Sequence, residues 1–244
     1  MQNIQNWRPT KIIRIGDKYK PRLDSKTIQS YFICNAQVDH YVRYIRKYSK
    51  GRLLDCGCGN VPYYEIYQNL VEEVICTDWK NSMHENKFVD VYSDLNEHLE
   101  FEDLSFDTII LTDVLEHIYK PLNLIAEINR VLKPGGRIIV AVPFFYWIHE
   151  QPYDYFRYTE YSLSKMFEDS GFKIIEIEPY GGYLDVLLDT INKVFIRRKY
   201  QLKIFLPFSN LIKRSFLNRK INKALQNKYP LGYILCCEKI EIPV

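Results

Sequence analysis

Short apolar runs alternate with stretches of helical periodicity through most of the chain, and glycine or proline marks many of the joins. Residues 1–24 are polar and basic, contain Pro9 and Pro21, and are expected to form an irregular lead-in. Over 25–50, Ile28, Tyr31, Phe32, Tyr41, Tyr44, Ile45 and Tyr48 recur at helical spacing until Gly51 ends the pattern. Strands are predicted over 52–56, 73–77, 87–91, 106–111, 137–142, 172–177 and 232–238, with helices over 63–70, 121–132 and 161–170. Such alternation predicts an α/β fold, a doubly wound and mainly parallel sheet with helices on both faces. Residues 183–228 break the rhythm and read as helical and basic, with Pro207 expected to interrupt them. The simplest division is a lead-in and packing helix over 1–50, followed by one domain over 51–244 with a basic helical insertion at 183–228.

Composition narrows the class. With 244 residues, 47% hydrophobic and 26% charged, the chain can bury one large core without disulfides or a structural metal. Its longest apolar run, residues 138–148, is too short to span a bilayer, which takes roughly 20 residues. The first residues lack the layout of a secretory signal, so a cytoplasmic location is expected. The six cysteines read as reduced packing residues, and no Cys/His pair follows Cys56-x-Cys58 at zinc-finger spacing, so no metal site is expected. Charge is uneven: residues 192–228 hold 11 Lys/Arg and no Asp or Glu, leaving 22 basic against 30 acidic residues elsewhere.

The candidate chemistry begins at Leu53-Leu54-Asp55-Cys56-Gly57-Cys58-Gly59-Asn60, where a buried strand meets Gly-x-Gly and then a helix. Glycines there permit positive φ and close approach of a ligand, and the helix N-terminus is expected to offer free N–H groups. A dinucleotide site wants an apolar residue at position 55 and a third glycine where Pro62 stands. A carboxylate at the strand tip repels pyrophosphate but accepts hydrogen bonds from a cation. Asp78, 23 residues after Asp55, is placed to take both hydroxyls of a ribose. The implied ligand is a cationic, phosphate-free nucleoside, and S-adenosylmethionine fits.

The segments LLDCGCGN (53–60), TDW (77–79), SDL (93–95), SFDTIILTDVLEHI (105–118) and EINRVLKPGGRIIVAVP (127–143) together resemble the class I, Rossmann-like S-adenosylmethionine-dependent methyltransferases. The resemblance covers about 50–180 and the last strand, and implies a seven-stranded sheet whose last strand runs antiparallel. It departs at Val61, where the family often has a third glycine. It places Asp55 near the methionine amino group, Gly57 and Gly59 beneath the ligand, Asp78 on the ribose and Trp79 against the adenine. Asp94 would meet the adenine amino group with Leu95 beside it, and Thr112 would offer its carbonyl to the methionine amine. Residues 152–163 and the Trp7-Arg8-Pro9 segment also resemble methyltransferases of surface-polysaccharide biosynthesis.

Methyl transfer from a sulfonium needs chiefly alignment, with a general base if the acceptor is a hydroxyl. His149 is the candidate base, and His117, Tyr153, Arg157 and Tyr158 are candidate acceptor contacts. The expected activity is methylation of a small-molecule or glycan-linked acceptor. Alternatives are an RNA methyltransferase and a non-catalytic S-adenosylmethionine-binding partner protein. The basic insertion, above all 193–220, fits a lid, a peripheral membrane contact or a nucleic-acid backbone, and nucleic acid is the least favoured of the three.

Overall fold

The computed structural model describes residues 1–23, 28–82 and 87–241, with no side-chain description at 217–219, 222 and 223. The lead-in is not irregular. β1 (Ile12–Ile15) and β2 (Lys18–Pro21) pair antiparallel as a hairpin, and Ile12 and Tyr19 are buried. α1 spans Tyr31–Tyr48 and buries Phe32, Tyr41, Tyr44, Ile45 and Tyr48, one face of the predicted helix. It begins later than its periodicity suggested, and residues 25–27 of that expectation lie outside the described residues.

β3 (Arg52–Cys56) leads through the glycine turn to α2 (Tyr64–Tyr67), a single turn of helix where eight residues were expected. Val61 takes φ +49° and its N–H closes a turn onto the Cys58 carbonyl, so helix cannot start until the chain has passed Pro62. β4 (Glu73–Asp78), β5 (Val91–Tyr92), β6 (Phe106–Thr112), α3 (Pro121–Val131) and β7 (Leu132–Pro143) follow. The expected third strand is thus reduced to two residues at the sheet edge, paired with Thr77 and Asp78. α4 (Glu160–Asp169) starts at a Thr159 cap and leads to β8 (Phe172–Tyr180).

α5 (Tyr183–Phe195), α6 (Lys199–Arg214) and α7 (Phe216–Leu225) precede β9 (Gly232–Lys239). Pro207 lies inside α6 without ending it. Leu202, Phe205, Leu206 and Ile212 pack with Ile28, Phe32, Leu184 and Leu188, so burial on both sides of the proline outweighs the missing N–H. The breaks fall instead at residues 196–198 and 215.

The sheet order is β5-β4-β3-β6-β7-β9-β8, with β9 antiparallel to both neighbours and the other strands parallel. This is the doubly wound, seven-stranded sheet expected. Adjacent residues of its central strands serve opposite faces. Leu53, Ile110, Ile139 and Ile234 join α1 in one core, while Leu54, Ile109, Ile138 and Leu235 join α3 and α4 in the other. All six cysteines are free and buried. Among the described residues no helix is long and apolar enough to cross a membrane. Strands β3, β4, β6 and β7 end together, and the crevice beyond their carboxyl ends is where ligands bind in open α/β sheets.

Candidate functional site

The glycine turn is held from beneath rather than open to an anion. The N–H groups of Gly57 and Cys58 both donate to the Thr77 carbonyl, at 2.9 and 3.0 Å, and the Gly59 N–H donates to Asp78 Oδ2 at 2.6 Å. Three donors of the glycine turn that would cradle a phosphate are therefore spent inside the protein. Gly57 takes φ +74°, and a Cβ there would stand 2.5 Å from a Val114 methyl, so the position admits only glycine. Val61 adopts a left-handed conformation that a β-branched residue takes only at some strain.

Two cavities meet at Gly57, Asp113 and Glu150. The smaller, of about 200 Å³, is lined by Asp78, Trp79, Asp94, Leu95, Val114, His117 and Tyr153 among others. Trp79 stands edge-on to Tyr153 with ring centres 5.2 Å apart. Asp78 also accepts from the Trp79 N–H at 2.6 Å, which fixes its carboxylate at the tip of β4. Asp94 Oδ1 accepts from the backbone and side chain of Asn96, so it shapes its own turn while facing the cavity. An apolar slot with acids at its ends suits a neutral heterocycle on a ribose.

The larger cavity, of about 370 Å³, is lined by Lys11, Gln37, Gly57, Gly59, Thr112, Asp113, Glu116, Tyr146 and His149 among others. Its wall is organised by Asp113, which takes φ +56°. Asp113 accepts from Tyr41 at 2.8 Å, from Gln37 at 3.1 Å and from Lys11 at 2.7 Å, tying the lead-in and α1 to the end of β6. Burial opposes the charge on Lys11, but Asp113 more than offsets it and holds the ammonium well above its ordinary range. Lys11, Gln37 and Asp113 were not singled out from the sequence, and Tyr41 only as a position of helical periodicity. Lys11 and Gln37 belong to the segment read as lead-in and packing helix, and only the fold brings them here.

Glu116 is 0% exposed, and neither carboxylate oxygen has a hydrogen-bond partner. Burial, and then nearby Asp113, push its proton affinity well above the ordinary carboxyl range. His149 Nε2 and His117 Nε2 lie 3.9 and 3.7 Å from Glu116 Oε1. Burial, followed by the neighbouring His117, lowers the His149 pKa, which favours a neutral ring. Its Nδ1 faces Asp154 at 3.2 Å. Burial alone would raise Asp154, but Arg157 and the His149 N–H hold it down at about 2.

Several expected residues have other places. Asp55 lines neither cavity; it sits beneath the turn, accepting from Tyr67 at 2.7 Å. Arg157 is no free clamp. It grips Asp154 with both arms and donates to the Trp147 carbonyl, anchoring the loop that carries His149. Tyr158 is buried, with its hydroxyl donating to the Leu115 carbonyl at 3.2 Å, and it too lies outside both cavities. His117, Tyr153 and His149 do line the paired cavities, as do Gly57, Gly59, Asp78, Trp79, Asp94, Leu95 and Thr112.

Residues 54–140 match the family model described as a methyltransferase domain. An uncharacterized protein of Methanocaldococcus jannaschii, MJ1123, is 25% identical over 77% of this chain and 94% of its own. The human thiol S-methyltransferase TMT1B is 30% identical over 43% of this chain, which spans only 45% of that enzyme. A solved S-adenosylmethionine-dependent methyltransferase of Archaeoglobus fulgidus superposes with a TM-score of 0.55 at 18% identity, covering 88% of this chain and 95% of that one. The fold is thus the Rossmann-like methyltransferase fold, and residues 54–140 are the part that matches the methyltransferase-domain model. The resemblance to surface-polysaccharide enzymes draws no support from these relatives.

Proposed function

We propose that this methyltransferase domain binds S-adenosylmethionine across the two joined cavities and transfers its methyl group to a small-molecule acceptor in the larger one. The observation that carries this is the turn after β3, whose Gly57, Cys58 and Gly59 N–H groups are all spent on Thr77 and Asp78. A ligand over that turn gains nothing from phosphates and much from positive charge, since Asp78, Asp94, Asp113 and Glu150 line the walls against Lys11.

In this assignment Asp78 takes the ribose, Trp79, Asp94 and Leu95 enclose the base, and the Thr112 carbonyl receives the ammonium. The bound sulfonium supplies an already activated methyl group. What remains for the protein is alignment, worth several kcal/mol when reacting atoms are held in line. The Lys11–Asp113–Tyr41–Gln37 network fixes the wall behind Thr112, and His149 faces the acceptor. A cavity of about 370 Å³, shared with the amino-acid arm of the donor, leaves room for a small acceptor rather than a folded polymer. The exposed face of the basic helices is assigned in turn to an anionic membrane surface, where an apolar acceptor would be met.

Calorimetry tests the cofactor assignment. Wild-type protein should bind one S-adenosylmethionine, and Asp78→Ala, checked for an intact fold by circular dichroism, should bind it 10- to 100-fold more weakly, the scale of a lost charge-assisted contact. Unchanged affinity in the variant, or binding of a nicotinamide dinucleotide instead, would overturn the assignment.

A further inference from the structure

Glu116 is buried with neither carboxyl oxygen hydrogen-bonded, which is costly even where the group keeps its proton. A fully buried carboxylate without a hydrogen-bond donor is costly unless a cation answers it. Two imidazoles face it, and one of them turns a lone pair toward it. His117 Nδ1 lies 2.8 Å from the Tyr153 carbonyl, which can only accept, so the proton sits on Nδ1 and Nε2 is bare. His149 Nδ1 lies 3.2 Å from Asp154 Oδ2 without hydrogen-bonding to it, and a proton settled there would bare Nε2 in turn. Those two Nε2 atoms stand 3.7 and 3.9 Å from Glu116 Oε1, too far for hydrogen bonds. The rings themselves meet edge to face, with centres 4.7 Å apart.

We propose that Glu116, His117 and His149 bind a divalent transition-metal cation where the two cavities join. One donor atom from each residue lies within 4.8 Å of the others. Ligand atoms around a tetrahedral ion bonded at 2.0–2.1 Å are roughly 3.4 Å apart, so the two carboxylate–imidazole distances need to close by about half an ångström or less and no donor pair by more than about 1.4 Å. The outer partners are of the kind such sites employ: the Tyr153 carbonyl fixes the His117 tautomer that leaves Nε2 for the ion, and Asp154 stands 3.2 Å from His149 Nδ1, where a small ring rotation would do the same. Arg157, gripping Asp154 from behind, completes that support. Glu150 Oε2, 3.9 Å from His117 Nε2, is within reach as a fourth ligand.

Two imidazoles and a carboxylate favour zinc, manganese, iron(II) or cobalt over magnesium, which prefers oxygen donors. The ion would lie between the donor and acceptor cavities, because Glu116 and His149 line the larger and His117 the smaller. Its use in gripping an oxygen or sulfur of the acceptor rests on the function proposed above; its binding does not.

Cobalt(II) titration of the metal-free full chain, without S-adenosylmethionine, tests the site. One equivalent should bind with a visible d–d absorption band, and zinc should displace it. His117→Ala and His149→Ala should each weaken binding at least 100-fold, and Asp154→Asn 10- to 100-fold. Histidine side-chain resonances of the wild-type protein should shift on adding zinc, a readout that needs no variant. Absence of cobalt binding up to millimolar concentration, or equal binding by the His117→Ala/His149→Ala double variant, would overturn the proposal. A positive result with no S-adenosylmethionine binding would leave the site standing and remove the methyltransferase assignment instead.

Discussion

Asp55 shows how one residue can be conspicuous in a sequence and yet act otherwise in the fold. It is 4% exposed, and its partner is the neutral hydroxyl of Tyr67. Burial raises its pKa to about 7, with Tyr67 pulling it down and Asp78 pushing it up. An unfolded chain ionises this group near pH 4, so between pH 4 and 7 the unfolded state gains a charge that the folded state refuses. Stability is therefore highest below pH 4 with respect to this group, and falls as pH rises to 7, by on the order of 4 kcal/mol at most at 1.36 kcal/mol per unit. Asp55→Asn keeps an acceptor for Tyr67 and removes the charge. Its melting temperature should match wild type near pH 4 and exceed it increasingly toward pH 7.5. Thermal melts at three pH values decide this, and a constant difference would refute it. Asp78, Trp79, Asp94 and Thr112 were legible because they stand at fixed offsets from strand ends. Lys11 and Glu116 were not, since their importance lies in contacts made across the fold.

The elements most legible in the chain are those whose burial pattern and punctuation agree. β3 has the predicted ends, and α3 and α4 differ from expectation by a residue or so. The hairpin of β1 and β2 was hidden because its strands are four residues long and carry lysine and arginine on the outer face. α2 was overextended because sequence does not reveal that Val61 turns left-handed. β9 makes a sharper demand than its apolar run suggests. At Gly232 it lies between Pro143 of β7 and Tyr180 of β8. A Cβ there would stand 2.2 Å from the Tyr180 hydroxyl oxygen and 2.3 Å from the Val142 carbonyl oxygen. The tyrosine could swing, but the carbonyl belongs to a central strand. Gly232→Ala should therefore destabilise the fold by about 1–3 kcal/mol or more, the scale of overpacking. Tyr180 also accepts from Gln37, so the same change should loosen the wall around Asp113. Chemical denaturation measures the first effect; unaltered stability would mean that the strands can part here.

Across the whole molecule, charge and apolar surface are separated in a way the sequence only half discloses. The eleven cations of residues 192–228 do not all face solvent. Lys193 is buried against Asp189 and lies over the Tyr146 ring, where burial lowers its proton affinity, and Lys213 pairs with Asp185. Arg197, Arg198, Lys199, Lys203 and Arg214 are exposed. Between them Ile204, Phe208 and Leu211 form an outward stripe at i, i+4 and i+7 of α6, and they are 75%, 59% and 71% exposed. A basic helix with a bare apolar stripe can lie in the interface of an anionic bilayer, each cation near the surface adding about 1 kcal/mol. Reversing Lys199, Lys203 and Arg214 to glutamate should then weaken binding to phosphatidylserine vesicles by at least about a hundredfold, from the three lost cations alone. Phe208→Ser should weaken it without altering the salt dependence, because it removes apolar contact and leaves the charges in place. Sedimentation with vesicles at two salt concentrations separates the two terms. Failure of the wild-type chain to sediment would assign this face to something other than a membrane.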